Sequence, residues 1–347
     1  MSLNKIKSAA IDRYILNKID ASESPVKPAS EAFDVSVQTV YKHIRDLQSA
    51  GLIKRDGKLK YELISDVRSI SLGEGELKTD EAVLFDRYIS SYTDELPENV
   101  RRIWMYSVTE MLNNVKEHSQ ASRSELIICR NAVSLSVIIY DNGIGIFRKI
   151  KEKFGLADED EAIRELFKGK LTTDTEKHSG EGIFFTSRMM DEFAILSDGR
   201  IFTHNKFDSI DEKIGEIRML AGDSVPIRGD AAGGTLVFMK LADDTSRTTR
   251  TVFDKFADVE NGFRRTEIAV ANLFGNYPVS RSQAKRLCNR LDEFDEVMLD
   301  FDGVDDIGQG FADELFRVFV NAHGDIKLNT FNTNENVRFM MTHVGAK

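Results

Sequence analysis

Two short segments, Glu110-Met-Leu-Asn-Asn114-Val-Lys-Glu-His118 and Asp141-Asn-Gly-Ile-Gly145, carry most of the chemical information in this chain. In the first segment a carboxylate, an amide and an imidazole recur every four residues. An α-helix would place these three side chains on one face. Such a row is either an ordinary solvated helix face or one wall of a binding site.

The second segment follows the apolar run Ser134–Tyr140, which is typical of a buried strand. Asn-Gly after a strand is also the strongest short signal for a hairpin turn, so a simple turn is the alternative interpretation. A third piece, Gly180-Glu-Gly182, precedes a helical segment and is weak evidence alone. The three pieces together, in this order, are much more informative than any one of them.

In this order the three segments resemble the N, G1 and G2 boxes of the GHKL (Bergerat-type) ATP-binding family. The resemblance implies an α+β sandwich, which we place at residues 75–245, with Mg-ATP as its ligand. The sequence lacks the G-x-x-x-x-G-K-[ST] pattern of a P-loop, so that type of nucleotide site is excluded.

The resemblance gives four residues to the adenine end of the site. Asp141, at the end of its strand, would accept a hydrogen bond from the adenine amino group. Gly143 and Gly145 would leave room for the base to approach the backbone. In the family a threonine on a late strand supports the aspartate and a bound water, and Thr235 in Gly233–Leu241 matches it.

The triphosphate end would use the other two boxes. Asn114 offers a neutral oxygen to Mg²⁺, and His118 lies on the same predicted helix face. Glu110 could orient or deprotonate the attacking water or hydroxyl. Gly180 and Gly182 would open a helix whose free N–H groups attract phosphate oxygens.

Residues 146–179 occupy the place of the family's ATP lid. Cations in this stretch, including Lys168 and Lys170, are candidate phosphate contacts. Lys177 and His178 are the preferred candidates because they lie nearest the glycines. The alternative is a charged surface loop with no ligand role.

The composition is that of an ordinary globular chain, with 347 residues, 41% hydrophobic and 30% charged. No run is long enough for a membrane helix, and the N-terminus lacks a signal-peptide pattern. Two cysteines far apart in sequence fit a reduced compartment, so we expect a cytoplasmic protein. The net charge is −10, but residues 1–64 carry eleven Lys and Arg against eight Asp and Glu.

The positive N-terminal part predicts a helix, a short helix, a third helix from Ser36 to Ala50, and a hairpin around Asp56-Gly57. This order resembles a winged helix-turn-helix, which we place at residues 1–66 and which implies DNA binding. The third helix would present Gln38, Thr39, Lys42, His43 and Arg45 to the major groove, and the wing would present Lys54, Arg55, Lys58 and Lys60 to phosphates. A winged helix used for protein docking is the alternative.

The sequence also predicts the secondary structure that follows the N-terminal part. Ser65–Lys78 is a linker, and a helix from Asn99 to His118 carries the N box. The strands of the central sheet are Ser124–Cys129, Leu135–Asp141, Phe193–Ser197, Gly199–His204, Ile214–Leu220 and Gly234–Leu241.

Strands and helices alternate in the last part of the chain, residues 255–347, which predicts a small doubly wound βα domain. The segment Val297–Val304 followed by Ile307–Gly310 resembles STAS-like domains of the anti-sigma antagonist type. In the phosphorylated members a serine begins the next helix, whereas this chain has Gln309 and Gly310, which accept no phosphoryl group. We therefore expect this domain to recognise a protein partner. The predicted fold class is multidomain α/β.

Three functions fit this organisation. The favoured one is an ATP-responsive, DNA-binding regulator with slow ATP hydrolysis. The alternatives are an anti-sigma-type serine/threonine protein kinase acting on a separate partner, and a conformational ATPase. We also expect a homodimer, because winged-helix and GHKL proteins are often dimeric.

Overall fold

The computed structural model describes residues 3–57, 60–169, 181–205, 209–222, 225, 233–258 and 262–345. Within them the chain forms an N-terminal module of helices and a hairpin, a central domain on a six-stranded sheet, and a C-terminal domain on a three-stranded sheet. The fold class is therefore mixed α/β. No helix in these ranges combines the length and apolarity needed to cross a membrane.

The N-terminal module has the predicted order of elements. They are α1 (Leu3–Asp20), α2 (Val26–Phe33), α3 (Val37–Ser49), β1 (Ile53–Asp56) and β2 (Lys60–Leu63). The Ser36 side chain accepts the N–H of Thr39 and so caps α3. Val40, Ile44 and Leu47 lie on the buried face of α3, as their spacing predicted.

The central sheet is antiparallel, in the order β3-β4-β5-β8-β6-β7. Its strands are β3 (Asp66–Gly73), β4 (Arg123–Arg130), β5 (Ser134–Asp141), β6 (Glu192–Ser197), β7 (Arg200–Thr203) and β8 (Thr235–Ala242). Its helices are α4 (Glu74–Leu77), α5 (Glu81–Tyr88), α6 (Ser90–Thr93), α7 (Glu98–Asn114), α8 (Ile146–Phe154), α9 (Glu159–Lys168), α10 (Gly182–Met189) and α11 (Ile210–Ala221).

Two predictions for this domain are wrong. Ser65–Lys78 is not a linker, because most of it forms the edge strand β3 and the short helix α4. An edge strand tolerates exposed polar residues, so its composition resembled a loop. Ile214–Leu220 is helical rather than extended, since Lys213, Ile217 and Ala221 are buried at the four-residue spacing of a helix.

The C-terminal domain has a parallel sheet in the order β11-β12-β13. Its elements are α12 (Thr249–Phe256), β9 (Ala257–Asp258), β10 (Gly262–Phe263), β11 (Arg265–Ala269), α13 (Val270–Phe274), α14 (Arg281–Cys288), β12 (Glu296–Asp300), α15 (Gln309–Ala312), α16 (Val320–Ala322), β13 (Lys327–Phe331) and α17 (Glu335–His343). A π-helical segment, Asp313–Phe319, joins α15 to α16.

The prediction of a doubly wound domain is wrong. Helices α14 and α15, which belong to successive crossovers, contact each other and therefore lie on one face of the sheet. Strands added in one direction by right-handed crossovers place their helices on the same side. The central domain contacts β11 through α9 and contacts α12 through α7 and α10, and a single apolar core runs through both domains.

Candidate nucleotide site

The best-defined polar group in the central sheet is the Asp141 carboxylate at the end of β5. Asp141 is only 4% exposed and lies opposite Thr235 in β8. Its Oδ1 accepts the backbone N–H of Gly143 at 2.8 Å. Burial raises the pKa of Asp141 from 3.8 to about 6, and hydrogen bonds from the backbone of Gly143 and Thr235 oppose this increase.

The turn after Asp141 is not a hairpin. The chain leaves the sheet into α8, and the neighbours of β5 are β4 and β8. Asn142 fixes this exit, since its Oδ1 accepts the N–H groups of Ser122 and Arg123 at 3.1 and 3.0 Å. The alternative interpretation of Asn-Gly as a simple turn between paired strands is therefore wrong.

Gly143 and Gly145 are both buried in this exit turn. A side chain at Gly143 would collide with the backbone carbonyl oxygen of Ser119. The same oxygen accepts the N–H of Ile144 at 2.9 Å. The turn therefore packs directly against the end of the N-box helix. Thr235 contributes on the other side, where its hydroxyl oxygen accepts the N–H of Ile146 at 3.1 Å.

The sequence predicts that the N-box helix is α-helical as far as His118, but the α-helix ends at Asn114. It is α7 up to Asn114 and then a π-helical turn, Val115–Ser119, in which the Ser119 hydroxyl donates to the Val115 carbonyl at 2.6 Å. The wider turn breaks the regular four-residue spacing at His118. Lys149 donates to the carbonyl of His118 at 2.8 Å. Turns of this kind are frequent at functional sites.

Glu110 lies against the first residue of α10. A side chain at Gly182 would collide with Oε2 of Glu110, so glycine permits this approach. The nearby Tyr106 has its pKa raised by burial and by the charges of Glu110 and Glu181. Asn114 follows Glu110 by one turn on α7 and is half-buried. The N box and the start of α10 are thus adjacent.

Some of the residues predicted to contact phosphate lie outside the described residues, and one of them makes other contacts. Gly180, Lys177 and His178, with Lys170, lie outside the described residues. Lys168 is not a phosphate contact: its ammonium group is buried and donates to Glu165 and to two carbonyl groups of the C-terminal domain.

Sequence reasoning also missed several supporting residues. Ser197, the partner of Thr235 in β6, donates to the carbonyl of Gly234 at 2.8 Å. Asp198 forms an ion pair with Arg148 of α8 at 2.6 Å. The only sign of these contacts in the sequence is the turn Ser197-Asp198-Gly199, which looks the same as an ordinary strand end.

The predicted DNA-contacting residues of α3 fall into two groups. Gln38, Lys42 and Arg45 are exposed, whereas Thr39 and His43 are half-buried. His43 is held within the module, with Nδ1 at 2.7 Å from Oδ1 of Asp12 in α1. Thr39 bonds to Ser36.

The predicted wing residues also differ among themselves. Lys54 pairs with Glu62 across the hairpin at 3.3 Å, and Lys60 and Arg55 are exposed. Lys58 lies outside the described residues. The exposed residues of α3 are therefore better placed for a nucleic-acid contact than Lys54.

Comparison with known families supports the C-terminal assignment. Residues 283–338 match a family described as a STAS-like domain of unknown function (DUF4325). These residues span most of the region from α14 to α17. The C-terminal domain is STAS-like, as its sequence predicted. Domains of this type commonly bind protein partners.

A curated relative adds a kinase-like component. The chain is 26% identical over 166 residues to "Signal transduction histidine-protein kinase/phosphatase DegS" of Brevibacillus brevis. The match covers 44% of this chain and 42% of that protein, so the chain spans less than half of its relative's length. This similarity supports the kinase-like part of the predicted organisation.

Proposed function

We propose that the central domain is a GHKL-type site for Mg-ATP, and that its nucleotide state regulates binding of DNA or of a protein partner. The observation that carries the proposal is the buried Asp141 carboxylate between Gly143 and Thr235. Burying a carboxylate is costly, and an asparagine could accept the Gly143 N–H equally well. An adenine amino group donating to Asp141 would offset that cost.

The triphosphate would lie toward Glu110 and Gly182. Among the described residues no group of three or more His, Cys, Asp and Glu side chains could hold a metal ion. Mg²⁺ would therefore take most of its ligands from the phosphates and water, with Asn114 supplying one oxygen. The metal ion would neutralise charge on the phosphates, which otherwise meet the carboxylates of Glu110 and Glu181. Glu110 would orient or deprotonate the attacking group.

The N-terminal module would be the DNA-binding part, in a winged helix-turn-helix arrangement. Its surface helix α3 exposes Lys42, Arg45 and Gln38 together. Residues 1–64 have a net positive charge, whereas the rest of the chain has a net negative charge. The module contacts the central domain through Arg13 of α1, which bonds to Asp244 at 3.1 Å and to the carbonyl of Val133 at 3.2 Å. These contacts lie at the end of β8 opposite Thr235.

A protein kinase is the second candidate, favoured by the similarity to a protein named as a kinase/phosphatase. Glu110 is suitable for deprotonating a hydroxyl as well as for activating water. The described residues before β3 form the three helices and hairpin of the N-terminal module, and Gln309 and Gly310 occupy the place of the antagonist serine. In this candidate function the phosphoryl acceptor would belong to a separate protein.

The fate of γ-labelled ATP distinguishes the two candidates. We expect the purified chain with Mg²⁺ to release label slowly as free phosphate, and the Glu110→Ala variant to release none while still binding ATP. Transfer of label to an added partner protein, also lost in Glu110→Ala, would favour the kinase. DNA affinity that is equal without nucleotide, with ADP and with an ATP analogue would contradict the regulator.

A further inference from the structure

Outside the candidate nucleotide site, the C-terminal domain makes a set of buried contacts with helices α9 and α10. Lys168, the last residue of α9, is 1% exposed. Its ammonium group donates to Oε1 of Glu165 at 2.6 Å, to the carbonyl of Arg286 at 3.0 Å and to the carbonyl of Asn289 at 2.6 Å. All three N–H groups of a lysine are thus used.

The two carbonyl groups belong to the C-terminal end of α14, where helical carbonyls lack partners within the helix. A cation at this end also interacts favourably with the helix dipole. The contact is reinforced by Asn289, whose side chain donates to Glu165 at 3.3 Å, and by Arg290, which lies 3.5 Å from Glu165. Lys168 therefore caps a helix of another domain.

Strand β11, the first strand of the parallel sheet, bonds to both α9 and α10. The Thr266 hydroxyl donates to the backbone carbonyl of Lys168 at 2.7 Å, and Arg188 of α10 donates to the carbonyl of Glu267 at 2.6 Å. Consecutive residues of β11 are thus bonded to two different helices of the central domain. The Arg188 guanidinium also stacks on Phe184, 4.7 Å from the ring centre.

Helix α10 connects these contacts with the nucleotide site. Its first residue, Gly182, lies against Glu110, and its last turn carries Arg188. An eight-residue helix moves as a unit, so a shift of β11 would move the groups beside Glu110. Helix α9 contacts α10 and would transmit the same shift from Lys168.

We propose that Lys168 is a positioning residue through which the STAS-like domain sets the arrangement of α9 and α10, and so couples partner binding on that domain to nucleotide affinity. This inference rests on the proposed Mg-ATP site. Coupling is reciprocal, so nucleotide must also change the C-terminal domain. Coupling free energies of this kind commonly change affinity by about five- to 150-fold.

The test compares Lys168→Met with Lys213→Met in the full chain. Lys213 is a matched control, because it is also a buried lysine paired with carboxylates, Glu192 and Glu216, but it lies on α11. Mg-ATP affinity is measured by calorimetry, and hydrogen exchange of residues 264–290 is measured with and without Mg-ATP.

We expect Lys168→Met to weaken Mg-ATP binding at least fivefold and to abolish a nucleotide-dependent protection of residues 264–290, while Lys213→Met changes neither. If Lys168→Met does not fold, Thr266→Val removes one hydrogen bond with little change in shape and should shift both readouts in the same direction. Equal or tighter binding in these variants, with wild-type exchange, would overturn the coupling alone. Absence of Mg-ATP binding by the wild type would overturn the proposed site as well.

Discussion

Asp141 and Thr235 are direct cross-strand partners in the central sheet, and the backbone of Thr235 bonds to the Asp141 carboxylate. The pair joins two segments that are far apart in sequence. It places a buried carboxylate where β5 ends and β8 begins, beside the turn that leads into α8.

The Asp141→Asn variant should remove a pH dependence of stability. The pKa of Asp141 is raised from 3.8 to about 6, so the folded protein holds this proton more tightly than the unfolded chain. The stabilisation is fully present below about pH 4 and is lost as the pH rises through about 6. A shift of about two units corresponds to roughly 3 kcal/mol.

Urea unfolding of both proteins at pH 4 and pH 7 measures this effect. The free energy of unfolding of the wild type, relative to Asp141→Asn, should fall by about 3 kcal/mol over that range. A constant difference between the two proteins would show that Asp141 titrates normally.

The Gly182→Ala variant should fold but lose turnover. The added methyl group would displace the Glu110 carboxylate, which can move because it is the end of a flexible side chain. We expect γ-phosphate release to fall by about a hundredfold, the usual contribution of a positioned acid or base. Gly215→Ala in α11 is the control, because a side chain there meets no atom within 4 Å. Equal turnover in the two variants would show that Glu110 takes no part in the reaction.

Breaking the Lys168 contact should be costly, because it leaves Glu165 buried with Arg290 as its one charged partner among the described residues. We expect Lys168→Met to lower the free energy of unfolding by about 3–5 kcal/mol. The double variant Lys168→Met/Glu165→Gln should lose less, since it buries no carboxylate at this site. Thermal or urea unfolding tests both, and an equal loss in the two variants would contradict the role of the ion pair.

The exposed cations of α3 should carry the DNA affinity. The double variant Lys42→Ala/Arg45→Ala should weaken binding to a mixed-sequence duplex by about tenfold or more and reduce its salt dependence. His43→Ala should instead lower the stability of the module, which thermal unfolding measures, because His43 bonds to Asp12. Fluorescence anisotropy at several salt concentrations measures the DNA affinity, and DNA binding that survives removal of residues 1–66 would contradict the assignment.

Features that depend on local sequence could be predicted. The strand ending at Asp141, the cap at Ser36 and the parallel strands of the STAS-like domain all follow from short apolar periods and turn residues. The edge strand β3 and the helix α11 were missed because a polar edge strand resembles a loop and Gly215 weakens a helical pattern. The roles of the site residues in binding ATP stay predictions.

Contacts between distant segments could not be predicted. Lys168 is one cation among several in a charged stretch, and its burial depends on the carbonyl groups of Arg286 and Asn289. The π-helical turn at Val115–Ser119 likewise contacts a distant segment, the turn after Asp141, where the N–H of Ile144 donates to the Ser119 carbonyl. Neither arrangement leaves a periodic signal in the sequence.

The assignment of the nucleotide site is tested most directly by a calorimetric titration of the wild type and Asp141→Asn with Mg-ATP at pH 7.5, where the wild-type carboxylate is ionised. We predict one site per chain in the wild type and at least a hundredfold weaker binding in the variant, which still folds. No binding by the wild type, or equal binding by both proteins, would contradict the assignment of the nucleotide site.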